Sequence, residues 1–241
     1  MSTLREAAIA VTYERACAIL DQHGWLSTQP PATRETILAI GRIRTYAPGQ
    51  SIYVAGETAT AVFALVEGGV DIVFPVEEGP PALIHRADPG FWVGDLATLS
   101  RRERLVSLRA NAPSTMFVLP GHDLTQLLER QPEFYRVFYD LMHENMRLTF
   151  TFMADLLGFT AVERVARRLA NISRRRGNGG DPWIDLPQNT LAAMLGISPA
   201  TAHRSTRRLV ELGLIQTGYG KIRVVDVDAL AHYREHPEDV A

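Results

Sequence analysis

Residues 191–213, LAAMLGISPATAHRSTRRLVELG, hold two short helical patterns separated by a glycine turn. Leu191, Met194 and Leu195 give the first pattern one apolar face. Gly196 supplies the positive φ that a tight interhelical turn requires, and Ile197 plugs that turn. Ser198 is placed to cap the second helix, and Pro199 suits its first position, where a missing N–H costs nothing. The second pattern runs from Ala200 to about Leu212 and stops at Gly213. Its spacing predicts that Ala202, Ser205, Leu209 and Leu212 lie towards a core while Thr201, His203, Arg204, Arg207 and Arg208 face outward. A capped helix with a cationic face behind a glycine turn is what a major-groove reader of duplex DNA presents. Arginine grips guanine O6 and N7 with two bonds, and threonine or further arginine suits phosphates.

The flanks extend this reading. Downstream, Ile215-Gln-Thr, the turn Gly218-Tyr-Gly220 and Lys221-Ile-Arg-Val-Val225 form the pattern of a hairpin wing with a basic tip. Upstream, residues 161–173 read as a helix, followed by the polar loop Arg174-Arg-Arg-Gly-Asn-Gly-Gly-Asp181. Residues 158–225 hold 11 Arg or Lys against four acids, whereas residues 1–157 hold 13 Arg against 18 acids. Such an asymmetry fits a nucleic-acid module behind a domain with another task.

Between the two lies a long helical stretch, about Pro132 to Gly158, with two apolar stripes. One is Phe134, Phe138, Leu141, Leu148, Phe152 and Phe159; the other is Tyr135, Tyr139, Met142, Met146, Met153 and Leu157. A helix sealed against one domain needs a single stripe, so two stripes imply two partners, the second being the same helix of another subunit. Leu148 and Phe152 are then left for that partner, and Asn145, within the first stripe, would fix the register of a parallel pair. Burial of both stripes inside one large core is the alternative.

From about 44 to 119 the texture is that of short strands punctuated by glycine and proline. The clearest are Ser51-Ile-Tyr-Val, Ala61-Val-Phe-Ala-Leu-Val, Val70-Asp-Ile-Val-Phe, Val106-Ser-Leu-Arg and Met116-Phe-Val-Leu, which suggests a jelly-roll sandwich or barrel. Ahead of it, residues 4–22 and 32–41 read as short helices around a Pro30-Pro31 breaker, and behind it Asp123 is placed to cap a short helix.

Several classes are disfavoured. No apolar run reaches membrane-spanning length, and Glu6 stands where a secretory signal would be apolar, so cytoplasmic location is expected. One cysteine, Cys17, allows neither an intramolecular disulfide nor a cysteine-held cluster. His85 is a lone strand histidine, and His232 and His236, four apart, lack a third ligand, so no metal site is expected. No phosphate-binding glycine loop, nucleophile elbow or zinc-protease motif is present, and no catalytic residue is assigned.

Over roughly residues 27–229 the chain resembles the CRP/FNR family of bacterial transcription regulators. The resemblance is carried by the β-rich front half with Phe91-Trp-Val-Gly-Asp-Leu96, the long helix before 158, and Leu191-Ala-Ala-Met-Leu-Gly-Ile-Ser198 leading into the basic helix. It implies an α+β fold: an N-terminal cyclic-nucleotide-binding-like β-roll, a dimerisation helix and a C-terminal winged helix-turn-helix. The expected divisions are residues 1–125, 126–160 and 161–241. Carried over, the family's base-reading positions fall on Pro199, Ala200, His203 and Arg204, and its phosphate contacts on Gln188, Ser198 and Thr201. With Arg207, Arg208 and Lys221 these form the expected DNA-binding set.

In the family's cyclic-nucleotide binders a Gly-Glu-Leu segment holds the ribose and an Arg-Ser-Ala segment the cyclic phosphate. Here the corresponding residues are Gly94, Asp95 and Leu96, then Arg104, Leu105 and Val106, with Thr149 at a position that touches adenine. Asp95 is one methylene short, and Leu105 replaces the hydroxyl. The resemblance thus implies a homodimeric regulator of double-stranded DNA, with RNA polymerase as a further partner and no membrane. Two readings stay open for the front domain: a sensor of a cyclic nucleotide or another small ligand, or a structural dimeriser that needs none.

Overall fold

The computed structural model describes residues 11–78, 81–176 and 182–235. By internal contact the chain forms two units, residues 1–81 with 85–147 and residues 82–84 with 148–241. The first opens with α1 (Tyr13–Gln22), a 3-10 turn (Trp25–Thr28) and α2 (Pro31–Ala39). Thr12 caps α1 by accepting from the Arg15 N–H. The roll then follows as β1 (Arg42–Tyr46), β2 (Ser51–Tyr53), β3 (Ala61–Glu67), β4 (Val70–Phe74), β5 (Ala82–Ala87), β6 (Trp92–Val93), α3 (Asp95–Ser100), β7 (Ser107–Ala110) and β8 (Ser114–Pro120). The strands make two four-stranded sheets, in the orders β1-β8-β3-β6 and β2-β7-β4-β5.

Strand β3 shows why this texture folds as two layers. Its alternate residues Val62, Ala64 and Val66 join Phe117 and Leu119 of β8 in one core with the helices. The opposite side carries Phe63, whose ring lies 5.5 Å from that of Tyr53 in the other sheet. A strand covered on both faces reads as an unbroken apolar run, as residues 61–66 do.

Two helices complete this unit and leave it: α4 (Gly121–Arg130) and the long α5 (Phe134–Gly158). Helix α5 buries Phe134, Phe138 and Leu141 in the first core. Trp25 fastens its start, with ring centroids 5.6 Å from Phe138 and 5.5 Å from Trp92.

The second unit contains α6 (Ala161–Arg176), β9 (Trp183–Asp185), α7 (Gln188–Leu195), α8 (Pro199–Glu211), β10 (Ile215–Gly218), β11 (Lys221–Val224) and α9 (Val227–His232). Its core joins Val165 and Leu169 of α6 to Leu191, Leu195, Leu209, Ile215, Ile222 and Leu230. A reciprocal capping box starts α6: the Thr160 N–H donates to Glu163 Oε2 at 3.0 Å, and the Glu163 N–H to Thr160 Oγ1 at 3.3 Å. The other oxygen of the buried Glu163 carboxylate accepts the Glu235 N–H at 3.0 Å. Phe159 lies between the guanidinium groups of Arg167 and Arg234, 4.2 and 4.4 Å from its ring centre.

The structure corrects several expectations. The first described helix begins at Tyr13, and residues 4–10 lie outside the described residues. Strands β1, β6 and β9 were not anticipated; β1, Arg-Ile-Arg-Thr-Tyr, is an exposed, charged strand with no apolar run to mark it. Asp123 does not cap α4, because Pro120 occupies that position; it sits in the first turn and pairs with Arg42 at 3.3 Å. Leu212 is exposed, being the residue at which α8 ends, whereas Thr206 is buried.

Asn145 is the correction that bears on function. Instead of facing a second helix, its Nδ2 donates to Asp95 Oδ1 at 3.1 Å and to the Trp92 carbonyl at 3.3 Å. Leu148 and Phe152 are half-buried, while the second stripe stands exposed at Tyr135, Tyr139, Met146, Met153 and Leu157, with Phe150 beside it.

Candidate nucleic-acid interface and ligand pocket

The helix-turn-helix forms where its punctuation falls. Gly196 ends α7 at φ +61°, and its N–H still reaches back to the helix. Ser198 Oγ accepts the Thr201 N–H at 3.1 Å and Pro199 opens α8. Ala202, Ser205, Thr206 and Leu209 turn inward. Of the predicted DNA-contacting residues, His203, Arg204 and Arg207 are exposed along one side of α8, and Thr201 and Arg208 are half-buried.

These side chains are braced from within the unit. Arg204 Nη2 donates to Thr201 Oγ1 at 3.2 Å, and Arg207 Nε to Glu211 Oε1 at 2.9 Å. Gln188 at the start of α7 spans to α8: its Oε1 lies 3.2 Å from His203 Nδ1, and its Nε2 donates to Thr206 Oγ1 at 3.4 Å. The wing is a three-stranded sheet ordered β10-β11-β9. Lys221 at its tip pairs with Asp185 of β9 at 3.4 Å, a partner that the sequence reading missed because a three-residue strand leaves no period to detect. An open cleft of about 180 Å³ lies between the wing and the start of α7, with Gln188, Thr217 and Lys221 on its walls.

In the roll, Gly94 stands at φ +92° immediately before α3, and a Cβ there would meet Arg104 Nη1 at 2.4 Å. That contact reveals the course of Arg104. Its side chain is turned inward, 4% exposed, with Nη2 donating to the Ala61 carbonyl at 2.6 Å and Nη1 to the Gly94 carbonyl at 3.2 Å. Its guanidinium lies over the Tyr53 ring, 4.2 Å from the centroid, with Phe63 at 5.6 Å. Asp95 is also buried, whereas Leu96 and Leu105 are exposed, Leu105 at 61%. Thr149 is exposed on the part of α5 that belongs to the second unit. Tyr53, Phe63 and Asn145 surround the predicted residues and could not be found from spacing, because each comes from a different element.

Two domain families match the chain: the cyclic nucleotide-binding domain over residues 43–131 and the Crp-like helix-turn-helix domain over residues 163–233. The chain belongs to the CRP/FNR family of transcription regulators. It is 26% identical over 195 residues to the cyclic AMP receptor protein of Thermus thermophilus, covering 80% of this chain and 88% of that one. It is 24% identical over 203 residues to the HTH-type transcriptional regulator Cmr of Mycobacterium tuberculosis, covering 83% and 80%. Among solved structures, FixK2 of Bradyrhizobium japonicum matches with a TM-score of 0.70 at 20% identity, over 79% of this chain and 96% of that one. The c-di-GMP responsive global regulator CLP of Xanthomonas campestris matches with a TM-score of 0.69 at 18% identity, over 82% and 100%. Like other CRP/FNR chains, this one combines a cyclic nucleotide-binding domain with a DNA-binding helix-turn-helix.

The pocket of this CRP/FNR member keeps the arginine but offers no hydroxyl beside it, since Leu105 stands there. A phosphate needs donors directed into the pocket; here two of the five N–H donors of Arg104 go to carbonyls. Three buried polar atoms in this region have no hydrogen-bond partner: Tyr53 Oη, Trp92 Nε1 and Asp95 Oδ2. Among the described residues no group of three or more His, Cys, Asp or Glu converges as for a metal. His85 packs on Phe91, with ring centroids 5.0 Å apart, and His232 lies 2.8 Å from the Asp228 carbonyl; His236 lies outside the described residues. No helix among the described residues is long and apolar enough to cross a membrane.

Burial pushes the Asp95 carboxyl up to about 6, against the opposing pull of its own N–H, Asn145, the Leu96 N–H and Arg104. Its proton is therefore held more tightly in the folded chain than in the unfolded one. The associated stability is fully present below the ordinary value of 3.8 and is lost as pH rises through about 6. We expect Asp95→Asn to match the parent near pH 4 and to be more stable by roughly 2 kcal/mol at pH 7. Urea midpoints from pH 4 to 7.5 check this, and a constant difference between the two proteins would show that Asp95 does not titrate as described.

Proposed function

We propose that this chain regulates transcription as a homodimer in the cytoplasm, with α8 in the major groove of duplex DNA and RNA polymerase as its further partner, and that it acts by binding rather than by catalysis. The single observation that carries this is the arrangement of α8. A helix capped by Ser198 holds its core on one side and leaves His203, Arg204 and Arg207 exposed on the other, with Lys221 on the adjoining wing. Arg204 reads a base. Gln188, Ser198, Thr201, Arg207, Arg208 and Lys221 serve the phosphates, Gln188 and Lys221 both lining the cleft beside the wing.

The dimer rests on the exposed stripe of α5. Tyr139, Met146 and Met153 recur every seven residues, with Met142, Thr149 and Leu156 in the intervening positions of the same heptad. For the roll, the inward Arg104 favours the structural reading: a domain that holds the dimer without cyclic AMP. Gly94, Asp95, Leu96 and Thr149 are then left for a ligand of another kind or for none.

Binding to duplexes selected from random sequence tests the assignment. Arg204→Ala should cost roughly 1–3 kcal/mol and relax preference at one position of each half-site. Lys221→Ala should weaken all sequences alike and lower the salt slope by about one unit. Equal weakening of every sequence by Arg204→Ala would remove its base-reading role.

A further inference from the structure

Neither the fold nor the phosphate contacts account for Tyr219. It forms the tip of the wing with Gly220, in the two-residue loop closed by the Gly218–Lys221 pair. Its relative exposure is 104%, the highest among the exposed large apolar and aromatic side chains, so it contributes nothing to any core. The hairpin that presents it is nevertheless stiffly supported. Ile215 and Ile222 are buried, β11 is flanked by β10 and β9, and the Trp183 ring of β9 lies beside Gly218, where an added Cβ would meet it at 3.4 Å. A rigid stalk therefore carries one aromatic ring into solvent.

We propose that Tyr219 enters the minor groove of the DNA flanking each half-site and prefers A·T pairs there. This rests on the DNA-binding reading above and extends the same surface beyond the phosphates. Charge places the tip against DNA: Lys221 and Arg223 are exposed on the strand leaving the turn. With glycine on either side, no neighbouring side chain obstructs the ring's approach to a groove about 6 Å wide. The chemistry of the ring then decides the partner. Its apolar body covers sugar edges, and its hydroxyl donates to adenine N3 or thymine O2. At a G·C pair the guanine amino group obstructs the same approach. Narrow A·T-rich grooves also concentrate negative potential, which favours the adjacent lysine and arginine.

The experiment uses the full chain and duplexes with a fixed selected half-site and flanks that are either all A·T or all G·C. The parent should bind the A·T flanks about tenfold more tightly. Tyr219→Ala should lose most of that preference by weakening binding to A·T flanks, with an unchanged salt slope because no charge has been removed. Tyr219→Phe should fall between the two. Hydroxyl-radical protection at the flanking minor groove should disappear in Tyr219→Ala. The proposal is overturned if Tyr219→Ala keeps the parent's flank preference, or if it weakens both flanks equally. It is also overturned if DNA binding is untouched while transcription fails, which would make the tip a protein contact. Arg204→Ala, measured beside it, separates the two readings. A change at the half-site in Arg204→Ala with none at the flank in Tyr219→Ala retains the DNA reader and removes only the minor-groove role.

Discussion

Replacing Met146 and Met153 with glutamate is expected to give monomers by sedimentation and to weaken operator binding by about a hundredfold or more. Both side chains are exposed, at 45% and 48%, so the substitution adds charge to a surface rather than to a core. The folded protomer should therefore persist, with unchanged circular dichroism. In a parallel pair the four new carboxylates would face one another along the seam and lose their hydration together. Weakened DNA binding follows because two linked readers bind one operator at a high effective concentration, whereas single readers bind independently. Dimers that survive the double substitution would place the seam elsewhere. Leu148 and Phe152, favoured by the sequence, are poorer choices because they are half-buried already and their replacement would also damage the protomer.

The second large effect concerns Arg104. If it were held ready for a phosphate, Arg104→Ala would cost little stability in the ligand-free protein. The geometry predicts the opposite. The substitution takes the charged donor from the Ala61 and Gly94 carbonyls, which keep only Thr98, removes a guanidinium from the Tyr53 ring and leaves a void behind β3. Two hydrogen bonds from a charged donor, each worth roughly 1.5–3 kcal/mol, make a loss of about 3 kcal/mol or more reasonable. That corresponds to a fall in Tm of roughly 10 °C. In the parent, cyclic AMP, cyclic GMP and cyclic di-GMP should leave Tm and DNA affinity unchanged. Micromolar cyclic AMP binding with a large gain in DNA affinity would show that Arg104 leaves its carbonyls for the ligand, and the structural reading of the roll would fall.

The reader unit was legible because each of its boundaries is set locally. Ser198 caps, Pro199 starts and Gly196 turns through their own backbone chemistry, so three neighbouring letters define where α8 begins. The apolar run 61–66 marked β3 for the same reason. The pocket was far less legible. A sequence can show that an arginine follows Gly94 by ten residues, but not that its side chain turns towards the Ala61 carbonyl. That choice depends on Tyr53 and Phe63, which come from separate strands. Asn145 misled for a related reason. Its helical position was read correctly, but a period of 3.6 cannot reveal that Asp95, fifty residues away, supplies its acceptor. Short strands such as β6 and β9 have two or three residues, too few to display alternation.

The Glu163–Glu235 bond has a consequence for the order in which the polypeptide matures. A chain made from its N-terminus folds unit by unit as it emerges, and contacts between distant residues wait for the later one. The first turn of α6 is laid down early, but one oxygen of its buried carboxylate finds its partner only 72 residues later. Until Glu235 arrives, a nascent DNA-reading unit carries a half-satisfied acid at its base. A translation product cut short after α9 would contain every described helix of the reader and still lack the closing bond that seats the first of them.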